Sequence, residues 1–427
     1  MSFFFTRKFN IPLIILRYNS LYNWLAFDEI FMKKVFEVFW RFLFLGCISF
    51  GGPAAHIGYF QNTFVDKLKW LDQTSYANLI SLSQFLPGPG SSQLGFAIGI
   101  RQAGLPGGIA AFIGFTLPSF ILLYLLATTI SGAEQPWVNH VIGGLKLLAV
   151  VVVADACLTM FKSFCNNYIH RLIALITAIA LITLPSLTTQ IFILIIAAGF
   201  GFFVNPSLKS VSCEVTQSSA LTSRQFKTLP LMLFLVILFA LPLAAVIGTP
   251  IDSANIIVIF NQFFQAGSMV FGGGHVVLPL LQQTIGEALS NDIFLTGYAA
   301  AQAVPGPMFT LATFLGAELF TQAPLIGAAV ATLAIFLPGF LLVLTFESTW
   351  QSLATKPKVT SAVMAVNAAV VGLLFSALYH PIFTSAVSSL FELFSVLMGF
   401  YLLRIVKLPI IVLVLTFIGV GLLTQFY

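Results

Sequence analysis

Gln84-Phe85-Leu86-Pro87-Gly88-Pro89 interrupts one long apolar stretch, and Gln302-Ala303-Val304-Pro305-Gly306-Pro307 interrupts another in the same way, at an offset of 302 − 84 = 218 residues. Working outward, Phe50-Gly51-Gly52 recurs as Phe271-Gly272-Gly273, at 271 − 50 = 221. Leu117-Pro118-Ser119-Phe120 recurs as Leu337-Pro338-Gly339-Phe340, at 337 − 117 = 220. Ala149-Val150-Val151 finds Val370-Val371 within a similar span. Each landmark alone is weak. Four in one order at a nearly constant offset mark an internal duplication.

The sequence around these landmarks belongs to a membrane. Of 427 residues, 59% are apolar and 8% are charged, against about 25% charged in an average soluble domain. Mean hydropathy is +1.00. The expected fold is an all-α polytopic membrane protein made of two inverted-topology repeats with broken or re-entrant helices. Apolar spans are expected over 107–130, 138–160, 171–186, 188–205 and 229–248, then 324–346, 359–379, 384–402 and 408–426. Residues 36–60, 74–102, 257–285 and 293–321 carry Gly and Pro breaks, and sequence alone leaves open whether each crosses fully or turns back.

The organisation expected is an N-terminal cytoplasmic tail (1–35), a first repeat (36–205), a cytoplasmic linker (206–228), a connecting span (229–250) and a second repeat (251–427). Met32-Lys33-Lys34 reads as a better start for a membrane protein than Met1. One unpaired span between two repeats reverses the second against the first. Loop charges agree with that reversal. The loop 131–137 has no base, while its counterpart 347–360 has Lys356 and Lys358. The loop 161–171 carries Lys162 and Arg171, while its counterpart near 379–385 has neither Lys nor Arg. Basic loops stay in the cytoplasm, which puts the linker inside and the C-terminus outside.

Breaks in a membrane helix free backbone groups, so they occur where protein or water covers them. Paired breaks in two repeats point to a transported substrate. Candidate binding residues in the first repeat are Gly51, Gly52, Pro53, Gln84, Pro87, Gly88, Pro89, Ser91, Ser92 and Gln93. In the second they are Gly272, Gly273, Gly274, Gln302, Pro305, Gly306, Pro307 and Thr310. A helix restarting at Gly90 and another at Met308 would each turn free N–H groups and about half a positive charge toward a small anion. The alternative is that each Pro-Gly-Pro only kinks a packed helix.

Lys146 lies in an apolar span with no acid nearby in sequence and could lend fixed charge to that anion; the alternative is a snorkelling side chain. Asp155 is a candidate proton site. Arg41 and Arg101 could line a vestibule or simply follow the positive-inside rule. His56 and His275 follow the glycine breaks at inequivalent positions and could sense protons or merely pack.

The four cysteines, Cys47, Cys157, Cys165 and Cys213, form no CxxC pair and read as small core residues, not a metal or disulfide frame. A net charge of +5 is too small and scattered for nucleic-acid binding. No HExxH, GxSxG or Walker pattern occurs, so no enzyme is expected, and transport would run on ion gradients or potential.

Phe50-Gly51-Gly52-Pro53-Ala54-Ala55-His56-Ile57, Trp70-Leu71-Asp72 and Gln84-Phe85-Leu86-Pro87-Gly88-Pro89 with Ser92-Gln93-Leu94 together resemble the chromate transporter family. So does Phe271-Gly272-Gly273-Gly274-His275-Val276 with Ala301-Gln302-Ala303-Val304-Pro305-Gly306-Pro307. The resemblance covers about 36–427. It implies two homologous halves of opposite orientation and efflux of chromate from a bacterial cytoplasm across the inner membrane, with sulfate as the look-alike ion. Such proteins often have Asn where this chain has Gly90, which removes one amide from the expected site. The partners expected are chromate or a related oxyanion and the lipid bilayer, with a homodimer left open and no cofactor, metal or nucleic acid. The competing readings are a carrier of sulfate or another small anion, a structural membrane protein without a substrate path, and an intramembrane enzyme.

Overall fold

The computed structural model describes residues 31–50, 52–130, 136–204, 227–247, 255–271, 276–285, 288–350 and 356–423. Every regular element among them is a helix. By length and composition, four helices can cross a membrane, over Gly90–Thr129, His140–Phe164, Pro324–Phe346 and Pro357–Ala386, and shorter apolar helices accompany them.

The first half runs α1 (31–48), α2 (Gly52–Phe60, continued as a π-helix over Gln61–Lys67), α3 (Gln73–Phe85), α4 (Gly90–Ile130), α5 (Pro136–Phe164), α6 (Tyr168–Thr183) and α7 (Leu187–Val204). Then α8 (Thr228–Ile247) stands unpaired. The second half runs α9 (Ile256–Met269), α10 (Val277–Ile285), α11 (Asn291–Ala303), a 3-10 turn Met308–Thr310 leading into α12 (Leu311–Leu319), α13 (Pro324–Phe346), α14 (Pro357–Ala377), α15 (Leu390–Tyr401) and α16 (Ile410–Leu423). The elements repeat in order, with α4 standing for both α12 and α13.

That one difference is only nominal. Inside α4, Ala103 (φ −147°) and Gly104 (φ 59°) leave helical geometry, and the chain turns back on itself. A side chain on Gly99 would come within 2.3 Å of the Gly107 carbonyl, a distance no straight helix allows between residues eight apart. Gly316 and Gly327 meet in the same way between α12 and α13, at 2.4 Å. Each half thus contains a helical hairpin closed by facing glycines, and the spans expected at 107–130 and 324–346 are its returning arms.

Helix starts recur with changed residues and unchanged physics. Asp72 caps α3 by accepting from the Ser75 amide, and Ser290 caps α11 by accepting from the Ile293 amide. Asn167 caps α6, and Ser389 caps α15 with a capping box completed by Glu392. Each satisfies an amide that the first helical turn leaves open.

The buried core follows the landmarks. Phe42, Phe60, Phe64 and Phe115 pack edge to face and stacked under the first glycine break, while Phe96, Phe112, Phe336 and Phe340 join the two halves. Outward, Leu172, Leu175, Ile176, Ile179, Phe192, Ile195, Ile196 and Met232 are exposed apolar side chains on α6, α7 and α8. On a soluble protein this would be a large sticky patch; on an integral membrane protein such a face suits hydrocarbon.

Of the expected tail, residues 1–30 lie outside the described residues, and 31–35, including the proposed start Met32, belong to α1. The expected linker is outside them too, apart from Lys227 and Thr228; Thr228 already opens α8.

Candidate functional site

The two Pro-Gly-Pro turns hold each other's halves. The Gly88 amide donates to the Val270 carbonyl at 2.7 Å, and the Gly306 amide donates to the Ser49 carbonyl at 2.9 Å. Ser49 and Val270 immediately precede Phe50 and Phe271, so each turn is hooked to the residue ahead of the other half's glycine break. Both glycines have positive φ, 124° at Gly88 and 102° at Gly306, where a side chain is strained. Neither has room for one. A Cβ on Gly88 would lie 3.0 Å from the Gly339 Cα, and one on Gly306 would lie 3.0 Å from the Ser119 Oγ. Ser119 and Gly339 occupy the same place in the repeated Leu-Pro-x-Phe. Three of the four landmarks therefore meet at one crossing.

This crossing is polar inside an apolar molecule. Ser49, His56, Ser91, Ser92, Gln93, Thr116 and Ser119 are all buried there. His56 bridges α2 to the crossing, with Nδ1 3.2 Å from the Ser91 Oγ and Nε2 3.3 Å from the Ser49 carbonyl. Gln93 Nε2 donates to the Pro87 carbonyl at 2.9 Å and to the Gly339 carbonyl at 3.3 Å, tying one turn to the opposite half. The Oε1 of Gln93 and the hydroxyls of Ser49, Ser92 and Thr116 are buried without a hydrogen-bond partner. Each such group costs about 1–3 kcal/mol. Several at one point call for a polar occupant.

The expected residues do not all serve alike. α4 restarts at Gly90 and the second half restarts at Met308, as the breaks suggested. Thr310, however, donates its hydroxyl to the Pro307 carbonyl at 2.6 Å, so that donor is spent on its own turn. Gln84 and Gln302 are equivalent in sequence but not in place. Gln84 is exposed, while Gln302 is partly buried and donates to the Met308 Sδ at 2.7 Å. Gly52 and Pro53 open α2. Gly51, Gly272, Gly273, Gly274 and His275 lie outside the described residues.

The charged candidates are paired, often across the halves. Lys146 Nζ lies 2.7 Å from the Asp292 Oδ1, so it is not the isolated charge its sequence neighbourhood suggested; its acid comes from the start of α11. Arg101 meets Glu347 at 2.7 Å. Asp155 accepts from the Arg404 Nη1 at 2.7 Å, and Arg404 also donates to the Thr159 hydroxyl at 3.0 Å. Arg41 stays on its own helix, 3.7 Å from Glu37, with both side chains nearly half exposed. Sequence reading missed Asp292, Glu347 and Arg404 as partners, because they lie 292 − 146 = 146, 347 − 101 = 246 and 404 − 155 = 249 residues from the groups they meet. A cavity of about 450 Å³ adjoins the crossing, lined among others by Phe50, Gly52, Asp155, Gln302 and Leu403. It brings a glycine break of one half, the pre-proline glutamine of the other and the Asp155 carboxylate to one space.

Comparison with known proteins follows the same division. The family model described as chromate transporter matches twice, over residues 36–202 and 257–422. An uncharacterised transporter of Methanocaldococcus jannaschii is 27% identical over 321 residues, 74% of this chain and 77% of its own length. A chromate transport protein of Pseudomonas aeruginosa is 26% identical over 345 residues, 79% of both chains. An uncharacterised transporter of Bacillus subtilis is 27% identical over 176 residues, which is 97% of that protein but 40% of this chain. One half of this chain is therefore similar to an entire shorter transporter. No solved structure matches.

Proposed function

Because the chain belongs to the chromate transporter family, as an integral membrane transporter and not an enzyme, we propose that it carries chromate out of a bacterial cytoplasm across the inner membrane. The anion passes through the crossing of the two Pro-Gly-Pro turns. The observation that carries this reading is the set of unpartnered buried hydroxyls of Ser49, Ser92 and Thr116. A tetrahedral oxyanion accepts hydrogen bonds on every oxygen and suits hydroxyl donors beside a helix N-terminus. The first turn of α4 supplies the Ser92 hydroxyl and the amides that its geometry leaves open, while Gln93 fixes the turn through its bonds to the Pro87 and Gly339 carbonyls.

The two glycine clasps suit alternating exposure. In the orientation we propose, the halves are inverted, with the linker inside and the C-terminus outside. A rocking motion of one half against the other then moves Gly88 along Val270 and Gly306 along Ser49 while the site between them stays put.

The energetics favour export. One charge crossing 100 mV is worth about 2.3 kcal/mol. A dianion leaving a negative interior gains about 4.6 kcal/mol, enough for a gradient of roughly a thousandfold at about 1.4 kcal/mol per decade. Potential alone drives the export; proton exchange is not required by this arithmetic. Sulfate has the same charge and shape and is the natural competitor.

Radiolabelled chromate flux into inside-out vesicles, at clamped potential and with sulfate as competitor, tests the reading. Potential-dependent uptake that Ser92→Ala reduces by about tenfold, the weight of one charge-assisted hydrogen bond, is the expected result. Folded protein that moves no chromate at any potential would falsify it, and flux of sulfate alone would transfer the site to the look-alike ion.

A further inference from the structure

The cavity that adjoins the crossing has a counterpart. A second cavity, of about 530 Å³, is lined by Ile182, Leu373 and Ser376 among others. At the repeat offset of 221 these are the equivalents of Leu403, Val152 and Asp155, which line the first. The two cavities thus lie at places equivalent under the repeat, but among their described lining residues only the first has a carboxylate, while the second has His380. Asp155 is replaced by Ser376. Arg404 is replaced by Thr183, whose hydroxyl donates to the carbonyls of Ile179 and Ala180 in its own helix.

The comparison separates packing from chemistry. α14 packs on α6 and α7 as α5 packs on α15 and α16. Glycine permits both close approaches: Gly201 sits against the Ser361 carbonyl and Ala365, and Gly421 sits against the His140 carbonyl and Gly144. The cluster of α14, α6 and α7 assembles with the uncharged Ser376 and Thr183 at the positions of Asp155 and Arg404. Holding helices together is therefore not what the pair is for. Partly burying two charges costs desolvation, which the uncharged Ser376 and Thr183 avoid.

We propose that Arg404 is an oxyanion-binding residue at the mouth of the transport site, and that the Asp155 carboxylate occupies it as a stand-in when no anion is bound. The inference rests on the transport reading above and extends it from the crossing to the adjoining cavity. A guanidinium presents a planar fork of donors that fits a carboxylate and a tetrahedral oxyanion alike. Asp155 lines the cavity itself, and its Oδ1 accepts from one nitrogen of that fork, Nη1, at 2.7 Å. Thr159 takes a second contact from the same Nη1, which keeps the guanidinium aimed while the anion exchanges with the carboxylate. Exchange leaves the count of charges on Arg404 favourable at every stage. It also places a negative side chain beside the departing anion, so binding stays weak enough for release.

The two partners therefore make opposite predictions. Equilibrium binding of radiolabelled chromate to the purified full-length chain, with sulfate as competitor at fixed salt, reads them. Asp155→Asn removes the internal competitor and is expected to tighten chromate binding by about tenfold. Arg404→Gln is expected to weaken it by at least about tenfold, and Arg404→Lys to fall between, keeping charge without the fork. A damaged fold cannot produce the gain expected of Asp155→Asn, so that variant carries the test even if Arg404→Gln assembles poorly. Unchanged or weakened binding in Asp155→Asn overturns the proposal. If Ser92→Ala weakens binding while both Asp155→Asn and Arg404→Gln leave it unchanged, the crossing stands and this subsite falls. If the unsubstituted chain binds neither chromate nor sulfate, the transport reading and the subsite fall together.

Discussion

Gly88 and Gly306 show how much one residue can carry here. Their positive φ and the backbone pressed against them leave no space for a methyl group. Gly88→Ala or Gly306→Ala is expected to strain its turn by about 1–2 kcal/mol and to cut vesicle flux by about tenfold or more at unchanged membrane abundance. Gly58→Ala is the control, since a Cβ there meets nothing within 4 Å; equal loss of flux in Gly58→Ala would remove the argument from close approach. His56 reads from sequence as a proton sensor or a packing residue; its two contacts, to Ser91 and to the Ser49 carbonyl, tie α2 to the crossing. Thr310 matched the expected pattern by position but has turned its hydroxyl to Pro307. Residue type announced a donor; only the local backbone decided where the donor points.

At the scale of elements, caps and hairpins explain why each half folds as it does. Asp72, read in sequence as part of Trp70-Leu71-Asp72, proves to be the cap of α3. Its carboxylate accepts from the Ser75 amide at 2.8 Å and the Ser75 hydroxyl at 2.7 Å. These bonds, the amide first, hold its carboxyl below the usual value. A lowered folded value means the cap contributes above the ordinary carboxylate range and is lost as pH falls through that lowered value. Asp72→Ala is expected to fray the first turn of α3 by about 1 kcal/mol, seen as faster amide exchange over residues 73–76 near neutral pH. As the pH is lowered, the difference between the two proteins should shrink; a difference that stays constant with pH would show that the cap's charge is irrelevant. The helical hairpins were half legible. The expected broken region 74–102 and the span 107–130 flank the turn, but the reversal at Ala103-Gly104 needs the facing pair Gly99 and Gly107, which no local pattern defines.

For the whole molecule, the contacts between halves matter most. Among the described residues, Lys146–Asp292, Arg101–Glu347 and Asp155–Arg404 each join one half to the other. Lys146→Ala and Asp292→Ala are therefore expected to be non-additive, with a coupling of about 1 kcal/mol in thermal unfolding. Strict additivity would mean the pair is an incidental contact, and loss of flux in Lys146→Ala that Asp292→Ala fails to relieve would return Lys146 to the role of a substrate charge. The proposed inversion of the two halves makes its own prediction. A reporter fused after Tyr427 should be active only outside the cytoplasm, and cytoplasmic activity would require both halves to share one orientation.

The duplication, the membrane class and the place of the breaks were legible in the sequence because they are local or periodic. A Pro-Gly-Pro ends a helix wherever it stands, an apolar run of sufficient length prefers lipid, and a repeat preserves its order. The tertiary structure alone decided which side chains meet. Gly88 reaches Val270 and Gly306 reaches Ser49 because two halves interlock, and Lys146, Asp155 and Arg101 find their counter-charges on elements far along the chain. Equivalent positions such as Gln84 and Gln302, or Asp155 and Ser376, part company for the same reason: duplication copies the backbone, but burial, and with it the cost of each polar atom, is set by what the other half brings against it.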